Sequence, residues 1–295
     1  MDWSNDLYSE YTDLGSYKNE LSLIAPDIPA LCQWIQSHLI HAYWLESYHC
    51  YTSLATAHRE MQLRSALDIL SVLSQRQSAD LVNNLTPDKR VIVVGRHFAL
   101  MLCALIRMHD TPARVRCGYA DYLVPDVYED HWICEYWHEQ QQRWVGVDAM
   151  LDERQMHRLA ITFNPYDLPS DSFIPAGRAW KHCIDGLVRP DHFGSLHFHG
   201  LVYIRGNIIR DLFALSSVEL LPWDGGWGIM EQFQNPLKDD REIQLITQLA
   251  TYSESGDEAN ARVVTQHNPD VALPQDWTWL QAPTISQLFE KTSVL

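Results

Sequence analysis

A chain of 295 residues, 46% hydrophobic and 20% charged, is long enough for one large globular domain or two small ones with ample core. Its 22 basic and 38 acidic residues leave a formal charge of −16, which repels nucleic-acid backbones and anionic membrane surfaces, and the Lys and Arg are scattered rather than gathered into a patch. No apolar run approaches the ~20 residues needed to cross a bilayer, and the acidic start MDWSNDLYSE has neither the basic nor the apolar region of a secretory signal, so the expected compartment is the cytoplasm.

Residues 1–27 are polar and aromatic-rich without a period, and read as an arm that docks on the body. From Asp27 the pattern turns helical: Asp27 can cap, Pro29 suits the first turn, and Leu31, Trp34, Ile35, Leu39 and Ile40 follow at helical spacing. A second long helix is predicted over Thr52 to Gln75, and SADLVNNLTPDKR over 78–90 is a loop. Residues 1–90 thus form a mainly helical N-terminal region. A β-branched run and Gly95 then lead into the almost wholly apolar segment Phe98 to Met108, followed by three β-prone runs, RVRCGY, HWICEYW and RWVGVD. Further on, a short helical piece near Glu153 and helices at Ala176 to Ile184, Asn207 to Leu215 and Glu242 to Tyr252 are expected. SSVELLPWDGGWGIM reads as an ordered loop and SESGDEANAR as a polar tract before a weakly helical tail. The predicted division is 1–90, a core with its loop-rich extension over 91–230, and a C-terminal extension over 231–295.

HWICEYW and RWVGVD flank a polar loop and read as an antiparallel hairpin. Pairing symmetric about Glu139 and Gln140 would put His131 directly opposite Asp148, within reach for a carboxylate to accept the imidazole proton. An incidental polar pair on a surface hairpin is the competing account of the same two residues.

The stretch from Val91 to Asp148 resembles the core of the transglutaminase-like superfamily, a papain-related fold, in its bacterial branch. The likeness is carried by Phe98-Ala99, Thr111-Pro112-Ala113-Arg114, Gly118-Tyr119, His131-Trp132 and Val147-Asp148. It implies an α+β fold in which a buried helix packs on an antiparallel sheet, with helical additions at both ends. It also implies a Cys-His-Asp triad for acyl transfer or amide hydrolysis, with His131 and Asp148 as two members and no metal or cofactor. The implied substrates are a peptide, a protein glutamine or other amide, or an acyl thioester. Arg96, His97, Tyr119, Trp132 and Trp223 are the candidate substrate-binding positions; Trp132, Trp223 and Trp227 form an aromatic wall for an acyl chain or a Gln side chain, or else ordinary packing.

The chain departs from the pattern at one place: Gly95 stands where the family has its Cys. A helix N-terminus lowers a thiol pKa and can hold an oxyanion, but glycine has nothing to attack with. Loss of the nucleophile costs ~10⁶ in rate, or ~8 kcal/mol, in another triad enzyme. Two accounts of Gly95 stand: a pseudo-enzyme that keeps the cleft as a peptide- or acyl-binding module, or a substitution of Cys in an enzyme. Six Cys (32, 50, 103, 117, 134, 183) without a CxxC pair read as buried free thiols. Among them Cys117 is the least unsuitable relocated nucleophile. His97 lines the cleft or caps the helix; Arg114 anchors its turn; the pair His197 and His199 is structural, since no third ligand is identified.

Overall fold

A computed structural model describes residues 9–77, 81–196, 198–231, 237 and 239–277. It is mixed α+β, and its described residues fall into two compact units: one takes those up to Val115 and Ile133–Leu168, the other Arg116–Trp132 and those from Pro169 to 277.

The first unit begins with the helical turn α1 (Lys18–Leu21) and α2 (Ile28–His38). Asp27 caps α2, its carboxylate accepting from the Ala30 N–H at 3.0 Å, and Pro29 occupies the first turn. The predicted apolar stripe splits here. Leu31, Trp34 and Ile35 are buried on α2, but Leu39 and Ile40 belong to a strand, β1 (Leu39–His41). The single helix expected over 52–75 is two, α3 (Leu54–Met61) and α4 (Ala66–Gln77). Ser65 and Asp68 cause the break by capping reciprocally. The Asp68 N–H bonds the Ser65 hydroxyl and the Ser65 N–H bonds the Asp68 carboxylate, each at 3.0 Å.

Strand β2 (Val91–Val93) lies parallel to β1, with Leu39 opposite Val91. It leads into α5 (Gly95–Met108), every residue of which is buried. Each Leu, Ile, Met or Phe buried this way is worth ~1.5–3 kcal/mol relative to exposure. The long strands β3 (Ala113–Val124) and β4 (Val127–His138) follow. In this unit the second half of β4 pairs antiparallel with β5 (Arg143–Val147), and the Asp152-capped α6 (Glu153–Arg158) completes it. Arg114 anchors the start of β3 through Glu135, at 2.8 Å, with its guanidinium 4.0 Å over the Trp144 ring.

In the second unit the strand order is β6–β3–β4–β7–β8, where β6 is Phe173–Pro175, β7 Phe193–Ser195 and β8 Phe198–His199. The sheet is mixed, not antiparallel throughout as expected, because β7 runs parallel to β4, with Tyr128 opposite Phe193. Helices α7 (Ala176–Ile184), α8 (Leu201–Leu215), α9 (Asp240–Ser255) and α10 (Glu258–His267) supply the core, built around Trp180, Ile204, Ile208, Ile209 and Leu212. Helix α8 starts at Leu201, six residues before the Asn207 at which the sequence pattern begins. Gly206 and the β-branched residues beside it argue against a helix there, but Tyr203 to Leu215 are all buried, and burial outweighs a glycine penalty of ~1 kcal/mol. Residues 1–8 of the predicted arm and 278–295 of the predicted tail lie outside the described residues, as does His197.

Candidate functional site

Gly95 is the first residue of α5, after Val94 in extended backbone. His97 caps the turn. Its Nδ1 accepts from the Val94 N–H at 3.3 Å, and its Nε2 meets the Leu63 carbonyl at 2.9 Å, so the proton sits on Nε2. Burial, reinforced by the Arg96 charge, pushes the His97 pKa down to about 3. The ring is therefore neutral and committed to structure. Arg96 is fully buried beside it.

Asp148, in the same unit, follows β5 and is 1% exposed. Its N–H donates to the Pro165 carbonyl at 2.9 Å and its carboxylate accepts from the Met150 N–H at 3.0 Å. The expected register is off by one residue at the turn. His138 pairs with Arg143 and Cys134 with Val147, so the hairpin is centred between Gln140 and Gln141. Carried one step further, this register sets Ile133 opposite Asp148, while His131 stands two residues along on the same face of β4. The cause is a turn that closes on residues 139–142, with Gln142 in the left-handed region (φ 51°) and its amide bonded to the Glu139 carbonyl at 2.7 Å.

In the second unit, His131 is 3% exposed and its ring lies edge-on to Tyr122, 6.1 Å between centroids. Trp132 is buried and Trp223 half-buried in a turn. Tyr119 lies fully within the core, its ring against Phe193 at 5.1 Å. Trp227, whose indole N–H donates to the Val271 carbonyl at 2.7 Å, packs against Phe213. Cys117 is no relocated nucleophile: burial first, then the Asp130 and Asp211 charges, drive its thiol pKa up, away from the thiolate. Cys32, Cys50, Cys103 and Cys134 are buried as well, which leaves Cys183 the most accessible thiol among the six.

One cluster was not anticipated. Asp130, the residue before His131, is gripped from α8. The Tyr203 hydroxyl donates to one carboxylate oxygen at 2.8 Å and the Asn207 amide to the other at 2.9 Å. Arg210 orients that amide through its oxygen at 3.1 Å and also bonds the Asp224 carbonyl at 3.1 Å. Asp224 in turn accepts from the Leu221 N–H at 2.7 Å. The next residue, Asp211, receives two bonds from Arg116, at 3.0 and 2.9 Å, one from the Cys117 N–H at 2.8 Å and one from the Ser253 hydroxyl at 2.7 Å. The available signal was the spacing of Tyr203, Asn207 and Arg210-Asp211, four and three residues apart on one helix, which reads as a single polar face. That face looks inward. No protein-family model matches the chain, and comparisons with curated proteins and with solved structures return no match.

Proposed function

We propose that this chain is a transglutaminase-like acyl-transfer protein of papain-like architecture whose nucleophile position is held by Gly95. The observation that carries the reading is α5: a wholly buried helix whose first residue is position 95, with Val94 extended before it. Such a helix start offers unpaired N–H groups to a thiolate or an oxyanion. Two strands follow in chain order, one carrying His131 and the other leading into Asp148, both buried. The reading gives His131 the role of base and Asp148 that of the carboxylate that orients it, with an amide or acyl thioester as substrate. Gly95 supplies no atom for a covalent step, so the chain as it stands turns over no substrate by this route.

The test restores the missing atom. Gly95→Cys and the parent chain are treated with a thiol-directed probe across a pH series, and adducts are located by peptide mass. Parent labelling is expected only at Cys183, slowly, because burial holds that thiol up at about 11. The introduced thiol is expected to label rapidly at neutral pH, and to lose that speed with His131→Ala. A new thiol no faster than Cys183 would overturn the reading. Gly95 favours a second one, a non-catalytic module for peptides or acyl groups. Saturable binding of a glutamine-containing peptide by the parent chain, lost on His131→Ala, would support it.

A further inference from the structure

Asp130 is built into the second unit with more care than a strand residue needs. Both its carboxylate oxygens are taken by donors one helical turn apart on α8, Tyr203 at 2.8 Å and Asn207 at 2.9 Å. The donors are themselves fixed, since Arg210 holds the Asn207 amide in the orientation that presents its NH₂ to Asp130. Arg210 and Asn207 are 0% and 1% exposed. Polar groups so deep must be fully satisfied to be tolerated, and an apolar pair would hold helix to strand as well. On a strand, successive side chains point to opposite faces, so a carboxylate clamped on the α8 face fixes the backbone from which His131 leaves on the other.

We propose that Asp130 is a positioning residue for His131, holding β4 against α8 so that the imidazole is presented in one orientation with the Asp130 carboxylate behind it. The inference rests on the acyl-transfer reading for its purpose. The groups that act on Asp130 are Tyr203, Asn207 and Arg210 from α8 and Cys117 and Tyr119 from β3, with His131 on the opposite face of its own strand. Burial raises the Asp130 pKa, and the Tyr203 hydrogen bond, Arg210, Asn207 and His131 pull it back toward the ionised form.

The experiment uses the full chain with ¹⁵N-labelled histidine, the His131 ring signals being identified by their loss in His131→Gln. Asp130→Asn keeps the shape and removes the charge. It is expected to lower the His131 titration midpoint by roughly half a pH unit, as loss of a nearby anion should. Tyr203→Phe deletes one oxygen from a site that stays filled, so it serves if Asp130→Asn fails to fold. It is expected to change the ring ¹⁵N shifts at constant pH. His131 signals unmoved in the folded variants, while their unfolding midpoints fall, would make the network structural alone and overturn the proposal. If His131 responds to Asp130 but the Gly95→Cys thiol stays sluggish, the acyl-transfer reading falls and the coupling stands. A fast thiol beside a His131 that ignores Asp130 sinks only the positioning role.

Discussion

Helices α5 and α8 are close in length, 14 and 15 residues, and both are buried almost throughout, yet they are buried by opposite means. In α5 the interior from Phe98 to Ile106 is apolar without exception, and burial follows directly from composition. Helix α8 takes Arg205, Asn207, Arg210 and Asp211 into its core, at 0–2% exposure, and each must find a partner there. Arg205 finds Glu242 at 2.8 Å, Asp211 finds Arg116. An apolar helix tolerates small errors in placement. A polar one is held to a single arrangement, because any slip leaves charges unpaired.

The sharpest way to break that contrast is Asp211→Ala. It takes the carboxylate from the Arg116 guanidinium, which is 2% exposed and keeps the Ser253 carbonyl, and removes acceptors from Cys117 and Ser253. Removing one partner of such a pair costs ~3–5 kcal/mol, so the denaturant midpoint should fall steeply. Arg116→Met combined with Asp211→Leu should recover most of the loss. In α5, by contrast, Leu102→Met should cost under ~1.5 kcal/mol. Comparable losses for the two helices would erase the distinction.

A second test sits where α7 crosses α9. A Cβ on Gly177 would lie 2.0 Å from the Ala250 carbonyl oxygen and 2.7 Å from the Glu254 nitrogen, both backbone atoms that cannot swing aside. Gly177→Ala should therefore cost ~3 kcal/mol, the upper end of overpacking, despite adding a single methyl. Urea unfolding measures it, and a neutral result would mean the crossing is loose.

Helix α5 buries polar side chains only at its ends, Arg96, His97 and Arg107, and one of them, His97, makes a pH prediction. His97 titrates at about 3 when folded, because of burial and Arg96, against ~6.5 unfolded. Below pH ~6.5 the unfolded chain binds a proton that the folded chain refuses, so stability is full above that pH and declines as pH falls toward 3. By pH 5 the loss reaches ~2 kcal/mol. His97→Gln, which can still donate to the Leu63 carbonyl, should flatten the difference in urea midpoint between pH 7 and pH 5 by about that amount.

What could be read in the sequence follows the same divide. Strand β5 and the cores of β3 and β4 were legible from composition, but the extensions of β3 to Val124 and of β4 back to Val127 were not. The apolar run that forms α5 was read as a helix through the family resemblance, since a continuous apolar run carries no period. The cap at Asp27 was legible. The end of α8 was read correctly, but its start was placed six residues late because Gly206 and Asn207 look like a boundary when the partners of Asn207, Asp130 and Arg210, are invisible. The β4–β5 register was missed because it depends on where Gln142 adopts a left-handed backbone, which four polar residues in a row do not announce. The split of the predicted 52–75 helix came from a cap within a run of good helix formers. In each case a side chain bonded to backbone or to a distant residue overrode local propensity.

The smallest effect tests the segment SESGDEANAR, which looks like a featureless polar tract and is two helix ends. Gly256 closes α9 in the left-handed conformation (φ 65°) and Asp257 opens α10, its carboxylate accepting from the Asn260 N–H at 3.0 Å and side-chain amide at 2.7 Å. Those Asn260 bonds, side chain first, lower the Asp257 pKa. Its contribution is thus fully present above the unfolded value of ~3.9 and is lost as pH falls through the lower folded value. Asp257→Ala should cost ~1 kcal/mol at pH 7, the usual worth of an N-cap, and progressively less in acid, where the parent loses the same bonds. Asp257→Asn keeps an acceptor without the charge, so it should hold most of the stability and show no such pH dependence. Equal losses for Ala and Asn at pH 7 would mean that charge at the helix end, rather than the hydrogen bonds, holds α10 in register.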